Sequence, residues 1–77
     1  MIINIKYFGL IAEVTRQTVE TIDFSGRLIS ELLDTLYSKY PDLKNKDFQV
    51  AQNQELVSVN SKITGEELAL LPPFSGG

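Results

Sequence analysis

The chain has 77 residues, 43% hydrophobic and 22% charged, which is room for one domain with a thin core. It contains no Cys and no His, so disulfides, thiolate chemistry and the commonest general base and metal ligand are all excluded. Seven basic residues stand against ten acidic ones, net charge −3, and the basic ones are scattered from Lys6 to Lys62, which argues against a phosphate-binding stripe and a nucleic-acid partner.

Residues 2–8 predict a strand. Ile3, Ile5 and Tyr7 fall on one face, Asn4 and Lys6 on the other, with Ile2 and Phe8 at the ends. Residues 9–16 read as a link that opens with Gly9. Residues 17–24, rich in Thr, Val and Ile, predict a second strand, although Val19 and Ile22 are three apart and break the alternation. Two strands joined by a short link suggest an antiparallel hairpin. Residues 27–40 change period: Leu28, Ile29, Leu32, Leu33, Leu36, Tyr37 and Tyr40 make one apolar helical stripe. Ser25 is the expected N-cap, and Pro41 stops the helix because the residue before a proline avoids helical angles. The two tyrosine rings are expected to pack in the core with their hydroxyls in water.

Residues 42–47 are polar and read as a loop. Residues 48–52 and 55–59 read as short strands joined by a tight turn at Asn53-Gln54. A second turn region runs from Asn60 to Glu67, and its adjacent Glu66-Glu67 is expected to be solvated turn charge. Leu68 to Leu71 is the last strand, apolar at all four positions, which is the pattern of a central strand. The order is β-β-α-β-β-β, an α+β class with one helix covering one face of a small mixed sheet. The whole of 1–77 forms a single domain with an extended tail at 72–77.

Pro72-Pro73 ends strand pairing and stiffens the exit into an extended path. Phe74-Ser75-Gly76-Gly77 follows. Two residues without a Cβ can enter a channel too narrow for any other pair, and they leave the last carbonyl carbon unflanked. The carboxylate of Gly77 is therefore the candidate reactive group, suited to activation as an acyl adenylate and attack by sulfur or an amine. No metal constellation, nucleophile–base pair or glycine-rich phosphate loop competes with it. A domain so equipped is expected to be a carrier or a binding module rather than a free-standing enzyme. No apolar run approaches the ~18 residues of a membrane span, and Met1 to Lys6 lacks the pattern of a signal peptide, so a cytoplasmic location away from the membrane is expected.

The segment ELALLPPFSGG, residues 67–77, closely resembles the C-terminal signature of the small subunit of molybdopterin synthase. Tyr7-Phe8-Gly9 with Ala12-Glu13, residues 30–41, and Val50-Ala51 with Asn53 and Glu55-Leu56-Val57 extend the likeness over nearly the whole chain. The resemblance implies a β-grasp, ubiquitin-like sulfur carrier that binds no cofactor or metal of its own. An ATP-using adenylating enzyme would activate Gly77, a sulfur donor protein would convert it to a thiocarboxylate, and the tail would enter the large subunit, in a heterotetramer with two copies of each. Gly77 would carry the sulfur, Gly76 permit close passage, Pro72 and Pro73 lower the entropy lost on ordering, and Phe74, beside Ser75, anchor the tail in the partner. Packing of Phe74 on its own domain is the other reading of that residue. The chain departs from the family pattern at Ala12, at Val14-Thr15-Arg16, at Gln52, where an apolar residue is usual, and at Phe74, where Val is often found.

Two other readings share the residues. A sulfur donor for thiamine or tRNA thiolation, or a protein modifier, would use the same fold and diglycine. A β-grasp interaction module would bind through its sheet or tail without acyl chemistry.

Overall fold

The computed structural model describes residues 1–64 and 67–73. Five strands form one mixed sheet: β1 (Ile2–Tyr7), β2 (Val19–Asp23), β3 (Gln49–Gln52), β4 (Glu55–Val57) and β5 (Leu68–Leu71). Their spatial order is β2-β1-β5-β3-β4. β1 pairs antiparallel with β2, so the expected hairpin is present, while β5 lies parallel to β1 and antiparallel to β3. The strand of three leucines and one alanine is thus central, as its composition predicted. It is not covered on both sides, however: Leu68 and Leu70 are buried, but Ala69 and Leu71 are only half-buried.

The helix α2 (Ile29–Lys39) lies across one face. Ile29, Leu32, Leu33 and Leu36 from its stripe pack on Ile3, Ile5, Tyr7, Val50, Leu68 and Leu70, and together they make the core. On the opposite face Val19, Lys6, Ala69, Ala51 and Leu56 lie abreast across the five strands. Asn53 and Gln54 both have positive φ, 53° and 66°, the pattern of a two-residue hairpin turn whose twist matches that of its strands.

Three local readings are corrected by packing. The link at 9–16 is a short helix, α1 (Leu10–Thr15), held by the buried Ile11 and closed by the Thr15 hydroxyl, which donates to the Ile11 carbonyl at 3.1 Å. The polar loop at 42–47 overlaps a 3₁₀ turn, Pro41–Asn45, whose Leu43 is fully buried and belongs to the core. Ser25 does not cap α2. The N-cap is Leu28, which has no acceptor to offer. Instead Glu31 reaches back to accept from the Arg27 and Leu28 N–H groups at 2.9 and 2.8 Å. The Ile29 and Ser30 N–H groups donate to the Ser61 and Val59 carbonyls at 3.0 and 2.8 Å. The free donors of a helix start are therefore satisfied from the 59–61 loop, a partner distant in sequence.

Gln52, a polar residue at the end of β3, also faces inward. Its side chain donates to the Lys62 carbonyl and accepts from the Thr64 N–H, both at 3.0 Å. It fastens the 62–64 segment to the end of β3.

Candidate functional site

The tail root lies at the end of β5. Phe8 N–H donates to the Leu70 carbonyl at 3.1 Å, the last rung between β1 and β5. Beyond it β1 turns away at Gly9 and the other chain continues into Pro72 and Pro73, both exposed. Gly9 has φ 57° and ψ −133°, a region that side chains avoid. A Cβ built on it would stand 2.7 Å from Pro72 Cγ, so the proline ring occupies the space a side chain would need. Leu10, Ile11, Lys46, Asp47, Pro72 and Pro73 line a notch of about 220 Å³ beside the root. Phe8 and Leu10 are exposed beside it.

Of the residues singled out in the sequence, Pro72 and Pro73 stand at this exit. Phe74, Ser75, Gly76 and Gly77 lie outside the described residues, as does Glu66. Glu67 is exposed and forms an ion pair with Lys6 at 3.4 Å, in keeping with solvated charge. A bigger cleft, about 410 Å³, opens between α2 and the β3–β4 hairpin near Tyr37, Phe48, Leu56 and Val59, and shares Lys46 and Asp47 with the notch at the tail root. Among the described residues no group of three or more acidic side chains is placed to hold a metal, and no helix is long and apolar enough to cross a membrane.

A second polar cluster was not foreseen. Glu20 on β2 faces the core, opposite Ile5. It accepts hydrogen bonds from the Tyr7 hydroxyl at 2.6 Å and the Tyr40 hydroxyl at 2.8 Å, and pairs with the Lys39 ammonium at the end of α2. Gln17 donates to the Tyr40 hydroxyl at 2.6 Å, and the two tyrosine rings meet edge-on, 6.3 Å apart. Tyr40 therefore does not simply reach water. Burial pushes the Glu20 carboxyl up, but hydrogen bonds from Lys39, Tyr7 and Tyr40 outweigh it and hold the carboxyl below its ordinary value. Burial, then the bond to Glu20, pushes the Tyr7 hydroxyl far above the usual tyrosine range; Tyr40 rises for the same two reasons. Every donor here has an acceptor, and none of the clefts above reaches the carboxylate. The cluster ties β1, β2 and α2 together. A Glu on a strand reads as outward-facing by default. Only the inward parity of Ile22, two residues on, hinted otherwise.

A central strand parallel to the first, one main helix across one face and a proline-stiffened exit at the strand's end define a β-grasp, ubiquitin-like domain. The chain belongs to the ThiS family, whose model matches residues 5–77. It is 31% identical over 84 residues to small archaeal modifier protein 1 of Haloferax volcanii, covering 94% of this chain and 97% of that protein. The crystal structure of SAMP1 from the same organism superposes with a TM-score of 0.80 at 28% identity, with both chains fully covered (100%). A putative molybdopterin converting factor, subunit 1, from Pyrococcus furiosus superposes with a TM-score of 0.88 at 19% identity over 96% of this chain and 99% of that one. A complex of subunits 1 and 2 of the molybdopterin-converting factor from Helicobacter pylori contains a chain with a TM-score of 0.68 at 23% identity, 100% of each covered. The chain is thus a ubiquitin-like protein of the sulfur-carrier and modifier class.

Proposed function

We propose that this chain is the sulfur-carrying small subunit of a molybdopterin synthase. The observation that carries the reading is the run Leu70-Leu71-Pro72-Pro73-Phe74-Ser75-Gly76-Gly77, rooted in the central strand of the sheet. The likeness to converting-factor subunits from two organisms supports it at the level of fold. The Gly77 carboxylate, a poor electrophile, attacks the α-phosphorus of ATP on an adenylating enzyme and releases pyrophosphate. Sulfide-level sulfur delivered by a donor protein attacks the acyl carbon, displaces AMP and leaves a thiocarboxylate. Docked in the large subunit, that thiocarboxylate meets a pterin precursor in an effectively intramolecular encounter. Acid–base groups come from the large subunit, consistent with a chain that has neither His nor Cys. Pro72 and Pro73 reduce the entropy lost as the tail is ordered. Phe74 and Ser75 contact the partner, and Gly76 lets the chain pass closely.

A second reading is favoured by one specific observation, the 31% identity to small archaeal modifier protein 1. There the activated Gly77 carbonyl would pass to a lysine amine of another protein. One experiment separates the two. The protein is incubated with its cognate adenylating enzyme, ATP and a sulfur source and weighed intact, then given the large subunit and the pterin precursor. Exchange of one oxygen for sulfur, followed by sulfur transfer to the pterin, supports the proposal. Thiocarboxylate formation without transfer, accompanied by isopeptide adducts in cells, favours the modifier. An unchanged mass under all conditions would leave a non-covalent interaction module.

A further inference from the structure

We propose that Gly9 is a positioning residue for the C-terminal tail: having no side chain, it gives the Pro72 ring a seat against the β1–α1 corner and so sets the direction in which the tail leaves the sheet. β1 and β5 are parallel, so both chains arrive side by side at the same end of the sheet. After the Phe8–Leu70 rung one of them must turn. Gly9 makes the turn with a backbone only glycine adopts freely, and its carbonyl accepts from the Ala12 and Glu13 N–H groups at 3.1 and 3.4 Å, which starts α1. The three atoms nearest to a Cβ at this position are Cγ, Cδ and Cβ of Pro72, at 2.7, 3.6 and 3.9 Å. The ring therefore lies directly over the Gly9 α-carbon.

Because proline fixes its own φ, the place where its ring rests sets the path of the bond that follows. Any side chain at position 9 would force the ring back by roughly 1 Å to reach ordinary carbon–carbon contact. The six residues from Pro72 to Gly77, drawn out in a channel, make a lever of about 20 Å. A tilt of about 10° at its root displaces the far end by roughly 3–4 Å. Misplacement of a reacting group by even ~1 Å lowers rates by as much as about 100-fold. The consequence for activity rests on the carrier reading above; the seat itself does not.

The test has a structural and a kinetic arm. In the full-length unaltered protein, nuclear Overhauser contacts between the Gly9 α-protons and the Pro72 γ-protons are expected, and their absence overturns the proposal. The kinetic arm measures thiocarboxylate formation with the cognate adenylating enzyme, ATP and sulfide for the unaltered chain, Gly9→Ala, Pro72→Ala and the double variant. Gly9→Ala is expected to keep a native-like amide spectrum and to lose about 10- to 100-fold in kcat/KM. Pro72→Ala loses activity too, and adding Gly9→Ala to it produces no further loss. Losses that multiply, or no loss in Gly9→Ala, overturn the proposal. If Gly9→Ala does not fold, the backbone strain of a Cβ at φ 57° is a sufficient cause, and Pro72→Ala, which leaves Gly9 in place, carries the kinetic arm. A folded Pro72→Ala protein with unchanged kcat/KM overturns the aiming role. Failure of the carrier reading looks different: the unaltered chain itself gains no sulfur, and the aiming role falls with it.

Discussion

Replacing Glu20 tests how the edge strand β2 is held to β1 and α2. In Glu20→Leu the Tyr7 hydroxyl, on a residue only 2% exposed, loses its acceptor, and Tyr40 keeps only its contact with Gln17. An orphaned buried hydroxyl destabilises by about 1–3 kcal/mol, and a hydrogen bond to a charged acceptor contributes about 1.5–3 kcal/mol. The Lys39 ammonium is half in solvent, so its share is small. The loss expected is therefore about 2–4 kcal/mol, a large part of the stability of so small a domain. At roughly 4–8 °C per kcal/mol, the thermal midpoint drops by about 8–32 °C. Tyr7→Phe/Glu20→Leu removes the orphan together with its lost partner and is expected to recover about 1–2 kcal/mol of that loss. Urea melts followed by circular dichroism measure both variants against the unaltered protein. The sign with pH is fixed by the direction of the shift. The folded Glu20 carboxyl lies below its unfolded value, so its contribution is present above about pH 4.3 and is lost as pH falls through the folded pKa. Glu20→Gln should flatten that acid-side loss. A Glu20→Leu protein within about 0.5 kcal/mol of the unaltered one, or an unchanged acid profile in Glu20→Gln, would refute the clamp.

Gln54→Gly is expected to stabilise by about 0.5–1 kcal/mol, because φ 66° at a residue with a Cβ is strained and glycine relieves it; a lower urea midpoint would contradict the turn assignment. Gln52→Leu should destabilise by about 1 kcal/mol, since the Lys62 carbonyl and Thr64 N–H lose their side-chain partner, and amide exchange at Thr64 should accelerate with it. Deleting Gly77 is expected to abolish thiocarboxylate formation while moving the thermal midpoint by no more than the effect of a surface change, about 0.5 kcal/mol. A truncated chain that still accepts sulfur would remove the basis of the proposed function.

Much of the fold was legible because short-range patterns carry it. Ile3, Ile5 and Tyr7 alternate, Ile29, Leu32, Leu33 and Leu36 recur at helical spacing, Pro41 ends the helix, and four apolar positions at 68–71 announce the central strand. The departure point of the tail was legible too, since Pro72-Pro73 cannot extend a ladder. Each of these depends on residues within a few positions of one another, where periodicity and backbone chemistry act directly.

Other features depend on pairs far apart in the chain, and only the folded arrangement decides them. Leu28 displaced Ser25 as the cap because the 59–61 loop comes within hydrogen-bond reach of the helix start. Glu20 turned inward because Tyr7, Lys39 and Tyr40 converge on it from two other elements. Gly9 mattered because a parallel pairing, invisible in local pattern, sets Pro72 against it. The sequence by itself determined the five strands, the main helix and the end of strand pairing at Pro72, but not α1 or the 3₁₀ turn, which depend on the burial of Ile11 and Leu43. The tertiary structure determined which polar groups meet in the core and how the tail root is seated, because those outcomes are contacts between distant residues and exist only once the chain has closed on itself.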